Sequence, residues 1–347
     1  MSDQVTSTPT AGGEGRRQRG ILGRMTFASG IAGGELAVLV ALMIAFTIAS
    51  PDFLTADNML NVMRQYSFIL ILAVGQTLVI ITAGIDLSVA ATAALSGSVM
   101  GVTYAHVGLP AAVAIGAGLL SGFAVGIING LAITKWKVPD IIVTLGTLTA
   151  IRGVALVVTG GLPVPDFARA IEGRRMPDVI ATLGADDLAG IPLITVVAVV
   201  CCFIGWYVLN RTRLGRSIVA VGGNRQAAHV SGINVDRTKI WVYAISGLLA
   251  SVGGMMLAGR LNSSNALMAS GTELDTIAAV VIGGTALFGG EGRISGTILG
   301  VLIIGVLANG LSIMGVSDFS QRIVNGSIIV IVVAVDQWRR RRRRHAA

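Results

Sequence analysis

The stretch RTRLGRSIVAVGGNRQAAHVSGINVDRTK, residues 211–239, lies between two runs of almost pure hydrocarbon, 191–209 and 240–257. Six of its residues are Lys or Arg and one is an acid. A segment this polar does not lie in lipid, and its positive excess assigns it to the cytoplasmic face. Within it, Asn224 suits a helix N-cap, 225–231 is a helix-compatible run of seven residues, and Gly232 suits the left-handed position beyond the end. Seven residues are too few to hold a helix alone in water. The run is either a connecting loop with an incidental turn of helix or an element held by something else. With Ala227 and Ala228 so small, a close-fitting groove on a partner is one such holder.

The rest of the chain has the same contrast of polar and apolar. Of 347 residues, 53% are hydrophobic and only 13% charged, against about 25% in a globular domain. With mean hydropathy +0.79 and the charges gathered between long uncharged runs, the pattern is that of an all-α polytopic membrane protein. The sequence pI of about 10.3 does not indicate a nucleic-acid partner, because the Arg clusters flank apolar runs and so serve topology. The cysteines, Cys201 and Cys202, are adjacent within an apolar run and imply neither a disulfide framework nor a zinc site.

Using about 20 residues per crossing, the sequence predicts ten membrane helices at 31–49, 67–83, 88–106, 111–133, 141–159, 192–209, 240–258, 274–289, 294–314 and 322–337. Residues 1–30 read as a disordered cytoplasmic arm, 31–338 as the transmembrane domain and 339–347 as a basic cytoplasmic tail. With both termini inside, nineteen Lys and Arg fall on the cytoplasmic side and six outside, with Arg152 inside a span. A shift of one span would invert the later loops and put Arg339–Arg344 outside, so the charge distribution supports this count. The long outer segment 160–190 is expected to carry a short helix near 178–183 and is either a docking site for a soluble partner or a tolerated insertion. Runs such as GLLSGFAVGIINGLAI (118–133) and SGTILGVLIIGVLANG (295–310) predict helices that approach closely through small residues.

Polar side chains within apolar runs are costly in lipid and require a reason. Asp86 and Ser88, in ITAGIDLSVA, either cap the following helix or line a polar path. Gln76, Asn129 and Asn309 lie nearer span centres and are further path candidates. Asn129 and Asn309 recur as INGL and ANGL, which favours helix-to-helix hydrogen bonding for both. GGTALFGGEGRIS (283–295) reads as a tight cytoplasmic turn. There is no phosphate loop, no nucleophile elbow and no metal-ligand spacing among His106, His229 and His345. The sequence therefore describes a conduit with no catalytic, cofactor or metal site, whose energy source lies elsewhere.

Four motifs in order, TLVIITAGIDLSVA (77–90), VPDIIVTLGTLTAIRGVALVVTGG (138–161), AVGGNRQAAHVSGINVDRTK (220–239) and GTELDTIAAVVIGGTALFGGEGRISGTILG (271–300), resemble the permease subunits of bacterial ribose/xylose-type ABC sugar importers. The similarity runs from about 43 to 338. It implies a multi-pass protein of the bacterial inner membrane that pairs with a second permease copy, commonly identical. It also implies two cytoplasmic ABC ATPase subunits and an extracytoplasmic solute-binding protein that delivers a monosaccharide or polyol. The family's ATPase-coupling helix maps onto Gly222, Gly223, Asn224, Ala227, Ala228, Ser231, Gly232 and Ile233. An ABC permease for a branched-chain amino acid or nucleoside, and a secondary transporter, are the alternatives. The chain departs from the family's pattern at Asp140 (usually Pro or Ala before an apolar residue), at His229 (commonly Arg or Lys) and at Glu291.

Overall fold

The computed structural model describes residues 33–334 except 167, 172, 318, 322, 325, 328, 329, 332 and 333, so the expected arm and tail lie outside the described residues. The described chain is helical apart from a two-residue ribbon. In order it forms α1 (Gly33–Ala49), α2 (Ala56–Ile81), α3 (Val89–Gly101, continued by a π-helical turn over Val102–His106), α4 (Ala111–Lys135) and α5 (Asp140–Thr159). Next come α6 (Asp178–Ala185), the antiparallel strands β1 (Asp187–Leu188) and β2 (Ile191–Pro192), and α7 (Leu193–Arg211). The series ends with α8 (Arg213–Gly223), α9 (Arg225–Val230), α10 (Val235–Leu261), α11 (Thr272–Ile282) and α12 (Ile294–Ile313).

Six of these helices, α2, α4, α5, α7, α10 and α12, are long and apolar enough to cross a bilayer. The protein is thus a polytopic membrane protein; the span expected over 322–337 lies largely outside the described residues, and two of the other expected continuous spans are built differently. The helix expected over 274–289 stops at Ile282 and gives way to turns up to Arg293. Its 11 residues rise only about 16 Å, roughly half a bilayer core. Gly283, Gly284, Gly289 and Gly290 supply the exit, three of them with φ near +80°, which no apolar count registers. The segment expected over 88–106 is α-helical only to Gly101, and the π turn completes it. The outer helix expected near 178–183 is present as α6.

α2 and α10 form the centre of the bundle. Their most apolar windows are 83% and 67% buried, against 17% for α5, which therefore lies at the periphery. α10 packs against α2, α3 and α4, and α2 carries α7, α11 and α12 on its other sides. Lipid gives no hydrophobic drive to helix association, so the approach distance decides the packing. α4 meets α10 through Gly118, Gly122, Gly126 and Gly130, spaced four apart. A Cβ at Gly130 would stand 2.7 Å from the Ile240 Cα, and one at Gly122 would press on the Gly247 carbonyl. Hydroxyl pairs add interhelical links: Ser67 to Thr195 (2.9 Å), Thr77 to Thr297 (2.6 Å) and Ser96 to Ser251 (2.9 Å). The close approach expected from the Gly-rich runs is thus observed.

On the side of α6, the connecting segment is tied to the end of α3. Ile171 N–H donates to the Ala105 carbonyl (2.8 Å), Asp166 N–H to His106 Nε2 (3.1 Å), and the Arg174 guanidinium lies 5.0 Å from the Tyr104 ring centre. Gly122→Val should separate α4 from α10 at a cost of about 1–3 kcal/mol or more. A thermal midpoint in detergent equal to that of the unaltered protein would show that the ridge is not in contact.

Candidate functional site

The short helix expected in the polar interval is present with the caps read from sequence. Asn224 is its N-cap, and its Oδ1 accepts from Ala227 N–H at 2.9 Å. At the other end Gly232 takes φ +81°, Gly232 N–H donates to His229 O (3.0 Å) and Ile233 N–H to Ala228 O (3.0 Å). These two bonds make a Schellman motif, which satisfies carbonyls the helix leaves open. What holds so short a helix is largely the chain itself. Ala228 is 4% exposed and packs with Val221 and Val235, with Ile233 beside them. Ala228 therefore faces inward, and the surface left for a partner is Arg225, Gln226, Ala227, His229 and Val230, the last 87% exposed. An open concavity of about 830 Å³ adjoins this surface, lined also by Asn234 and Asp236.

α8, which precedes it, was not anticipated. Leu214, Ile218 and Val221 turn its apolar face to the bundle, and Thr212 Oγ1 caps it by accepting from Gly215 N–H at 3.2 Å. The i, i+4, i+7 spacing of those three residues was the available signal. α8 ends against the foot of α2. A Cβ on Gly222 would collide with the Ile81 carbonyl and come within 2.6 Å of Gly290 N, and one on Gly290 would lie 2.9 Å from the Gly223 Cα. Gly290 N–H in turn donates to Ile81 O (2.9 Å). Three backbones thus meet without side chains between them: the end of α8, the Gly289–Gly290 turn and the end of α2. Gly222 and Gly223 belong to this joint.

Immediately beyond Ile81 the chain breaks over 82–88, and four of the five path candidates converge there. Asp86, 2% exposed, accepts at Oδ1 from Ser88 N–H (2.9 Å) and Ser88 Oγ–H (2.6 Å), and at Oδ2 from Ser246 Oγ–H (3.1 Å). Asn129 Nδ2 donates to Ser88 Oγ (2.8 Å). The Gln76 amide, oriented to match its neighbours, donates to Asp86 O (3.2 Å) and accepts from Asp86 N–H (3.3 Å). α2, α3, α4 and α10 are therefore joined through Asp86 and Ser88: the carboxylate takes Ser88 and Ser246, the Asp86 backbone takes Gln76, and the Ser88 hydroxyl takes Asn129. None of Gln76, Asp86, Ser88 and Asn129 exceeds 2% exposure. In this conformation they form a closed, solvent-excluded node. Asn309 lies elsewhere, exchanging amide hydrogen bonds with Asn58 (2.8 and 2.9 Å). The helix-bridging role expected of both asparagines is what the geometry gives.

Sequence reasoning missed a second polar cluster. Lys239 Nζ lies 2.8 and 2.6 Å from the two carboxylate oxygens of Asp140, and Tyr243 Oη–H donates to Asp140 Oδ2 (2.8 Å). Ninety-nine residues separate the ion pair, so nothing local announces it. A third contact at this end, Arg293 Nη2 to both Glu35 oxygens (2.9 and 2.8 Å), ties α1 to the start of α12.

The described residues thus form a helical bundle with chain breaks at 82–88 and 283–293 and a capped short helix in its polar interval. Residues 58–333 match the family described as branched-chain amino acid transport system / permease component, and the chain belongs to that family. It is 43% identical to the ribose import permease protein RbsC of Escherichia coli K12 over 87% of this chain and 92% of that one. It is 38% identical to the fructose import permease protein FrcC of Rhizobium meliloti, over 87% of this chain and 84% of that one. With the xylose transport system permease protein XylH of Escherichia coli K12 the identity is 34%, covering 87% and 90%. No solved structure matches. The protein is thus an ABC permease component, not an ATPase, and a multi-pass protein of the bacterial inner membrane.

Asp86→Leu leaves Ser246 and the start of α3 without their acceptor and should cost about 1–3 kcal/mol per orphaned group. Asp86→Asn, which keeps the acceptor oxygen, should cost less. Equal thermal midpoints for the two variants would remove the carboxylate from the node.

Proposed function

We propose that this chain forms the membrane pathway of an ATP-driven importer for a monosaccharide of the ribose or xylose type, or a similar polyol. The observation that carries the reading is the 43% identity to a ribose import permease across almost the whole chain. A soluble extracytoplasmic binding protein delivers the solute, two cytoplasmic ABC ATPase subunits supply the work, and a second, identical permease completes the pathway. The family's description names branched-chain amino acids, but relatives that match along most of their length include permeases whose names carry ribose, fructose and xylose. That supports sugar over amino acid.

In this reading the chain crosses the membrane ten times with both ends inside, α11 and the turn after it forming the eighth crossing. The positive charges support this, nineteen inside against six outside. The described residues from 319 to 334 are helical, as a last crossing requires. α9 then lies in the cytoplasm, and its partner-facing residues Arg225, Gln226, Ala227, His229 and Val230 dock in the ATPase. The segment from 160 to 190, held to the end of α3, faces outward and receives the binding protein. Its hydrogen bonds to Ala105 and His106 favour that role over a tolerated insertion.

A push on α9 reaches the bundle through α8. Where backbones touch without side chains, displacement of one must displace the next. Motion therefore passes from Gly222 to Ile81 and into the Asp86 node, which biases the helices around it. Direction comes from the differential affinity of ATP and the loaded binding protein for the two states.

Two measurements test this. Proteoliposomes containing the permease with its ATPase and binding protein should take up labelled ribose, xylose or fructose in an ATP-dependent manner and exclude leucine. Uptake of leucine alone would overturn the sugar reading. Separately, Ala227→Arg should reduce co-purification of the ATPase at least tenfold with an unchanged thermal midpoint, whereas Ala228→Arg should lower the midpoint itself. Normal ATPase retention by Ala227→Arg would remove α9 as the docking element.

A further inference from the structure

α5 is the least buried of the long helices, packed on α3 and more sparsely on α4. At its first residue, however, it is held firmly. Asp140 stands at the N-terminus of α5, after the N-cap Pro139, where a carboxylate is favoured by the free N–H groups and the helix dipole. Lys239 stands in the second turn of α10, the end at which the dipole disfavours a cation. Its side chain is only 4% exposed and that of Asp140 15%, so each charge depends on the other.

The pair is anchored to the break between α2 and α3. Tyr243 Oη donates to Asp140 Oδ2 at 2.8 Å and has the Ile85 carbonyl as a second acceptor at 3.4 Å. Thr144, one turn along α5, donates to the same Ile85 carbonyl at 3.0 Å. Gly84 leaves the room for this: a Cβ there would lie 2.6 Å from Asp140 Oδ2 and 2.8 Å from Tyr243 Oη. One carboxylate therefore ties α5 and α10 to each other directly over the residue preceding Asp86. The other end of this arrangement is α9. Residues 231–234 separate it from α10, and Val235 at the head of α10 packs on Ala228.

We propose that Asp140 is a positioning residue for transport. With Lys239 and Tyr243 it forms a latch that holds the inner ends of α5 and α10 together over the Ile85 carbonyl, and displacement of α9 opens it. The proposal rests on the importer reading above, since it takes α9 as the point where work enters. In the latched state α5 cannot swing from α10 and the pathway stays shut at this end. Water admitted on opening solvates both charges, and reclosing expels it. An apolar contact at the same place would keep the ends together but would not respond to the entry of water in this way.

The latch sets the resting balance between two states, so its signature is the ratio of ATP hydrolysis with binding protein to hydrolysis without it. The complex of permease and ATPase, reconstituted in nanodiscs, is assayed with and without the binding protein for Asp140→Asn, Lys239→Gln, Tyr243→Phe and the exchange Asp140→Lys with Lys239→Asp. Thermal midpoints are read in parallel. The two single charge variants should raise the unstimulated rate about three- to tenfold and lower the ratio correspondingly. Tyr243→Phe should move both in the same direction by less, and the exchange should recover at least half of the ratio. A merely structural pair would lower the midpoint and leave the ratio unchanged, and that result overturns the latch. An exchange variant no better than the singles does so too, because charge complementarity would then play no part. If Asp140→Asn and Lys239→Gln fail to assemble, an unaltered ratio in Tyr243→Phe is enough to reject the idea. A wild-type complex that the binding protein fails to stimulate counts against the importer reading itself. A stimulated wild type with insensitive variants sinks the latch alone.

Discussion

A helix that ends inside a membrane protein leaves carbonyls and N–H groups with no water to satisfy them, and each must find a protein partner. α2 ends this way at Ile81 and α3 begins this way at Val89. Most of what is distinctive in the described fold answers that demand. The Ile81 carbonyl takes the N–H of Gly290, the N–H of Ser88, the residue just before α3, is served by Asp86, and the Asp86 backbone is matched by the Gln76 amide. To deliver those partners, the 289–290 turn must approach within backbone contact, and only glycine permits it. The polar residues that looked costly in lipid are thus mainly consequences of ending helices where the protein excludes water.

The same demand explains which parts of the structure could be read beforehand. Caps are local, so Asn224 and Gly232 announced α9 to within a residue, and the small residues of α4 announced a close helix approach, though not that α10 is the partner. By contrast, α11 stops where glycines turn the chain, inside a run whose hydropathy alone suggests continuation. α8 carried a readable amphipathic period that was overshadowed by its positive charge. Gln76, Asp86, Ser88 and Asn129 were each recognisable as unusual, but not as members of one node. Their partnerships span up to 160 residues, as between Asp86 and Ser246, and only the packing of four helices brings them together.

Placement of Ala228 illustrates a subtler limit. Its small size correctly signalled a tight fit, but the sequence could not say against what. The tight fit is internal: Ala228 sits between Val221 and Val235 and fixes α9 against α8 and α10. A helix so attached can act as a lever, because load applied to its exposed residues passes into the bundle instead of bending the loop. An element held only by its partner would transmit far less.

The joints around this lever differ in physical kind. At Gly222 and Ile81 the contact is backbone on backbone, where repulsion rises steeply and attraction is slight, so it transmits a push faithfully and stores little. At Asp140 and Lys239 the contact is between opposite charges. Two charges 4 Å apart attract by about 1 kcal/mol in bulk water and about 4 kcal/mol at an effective dielectric of 20. The strength of that joint therefore depends on whether water is present around it, which is the variable that changes when a transport pathway opens. In the proposed reading, a stiff contact next to a solvent-sensitive one turns a small displacement of α9 into two distinct states. Neither element alone provides it: a stiff joint without the ion pair moves continuously, and an ion pair without the stiff joint has nothing to pull on it.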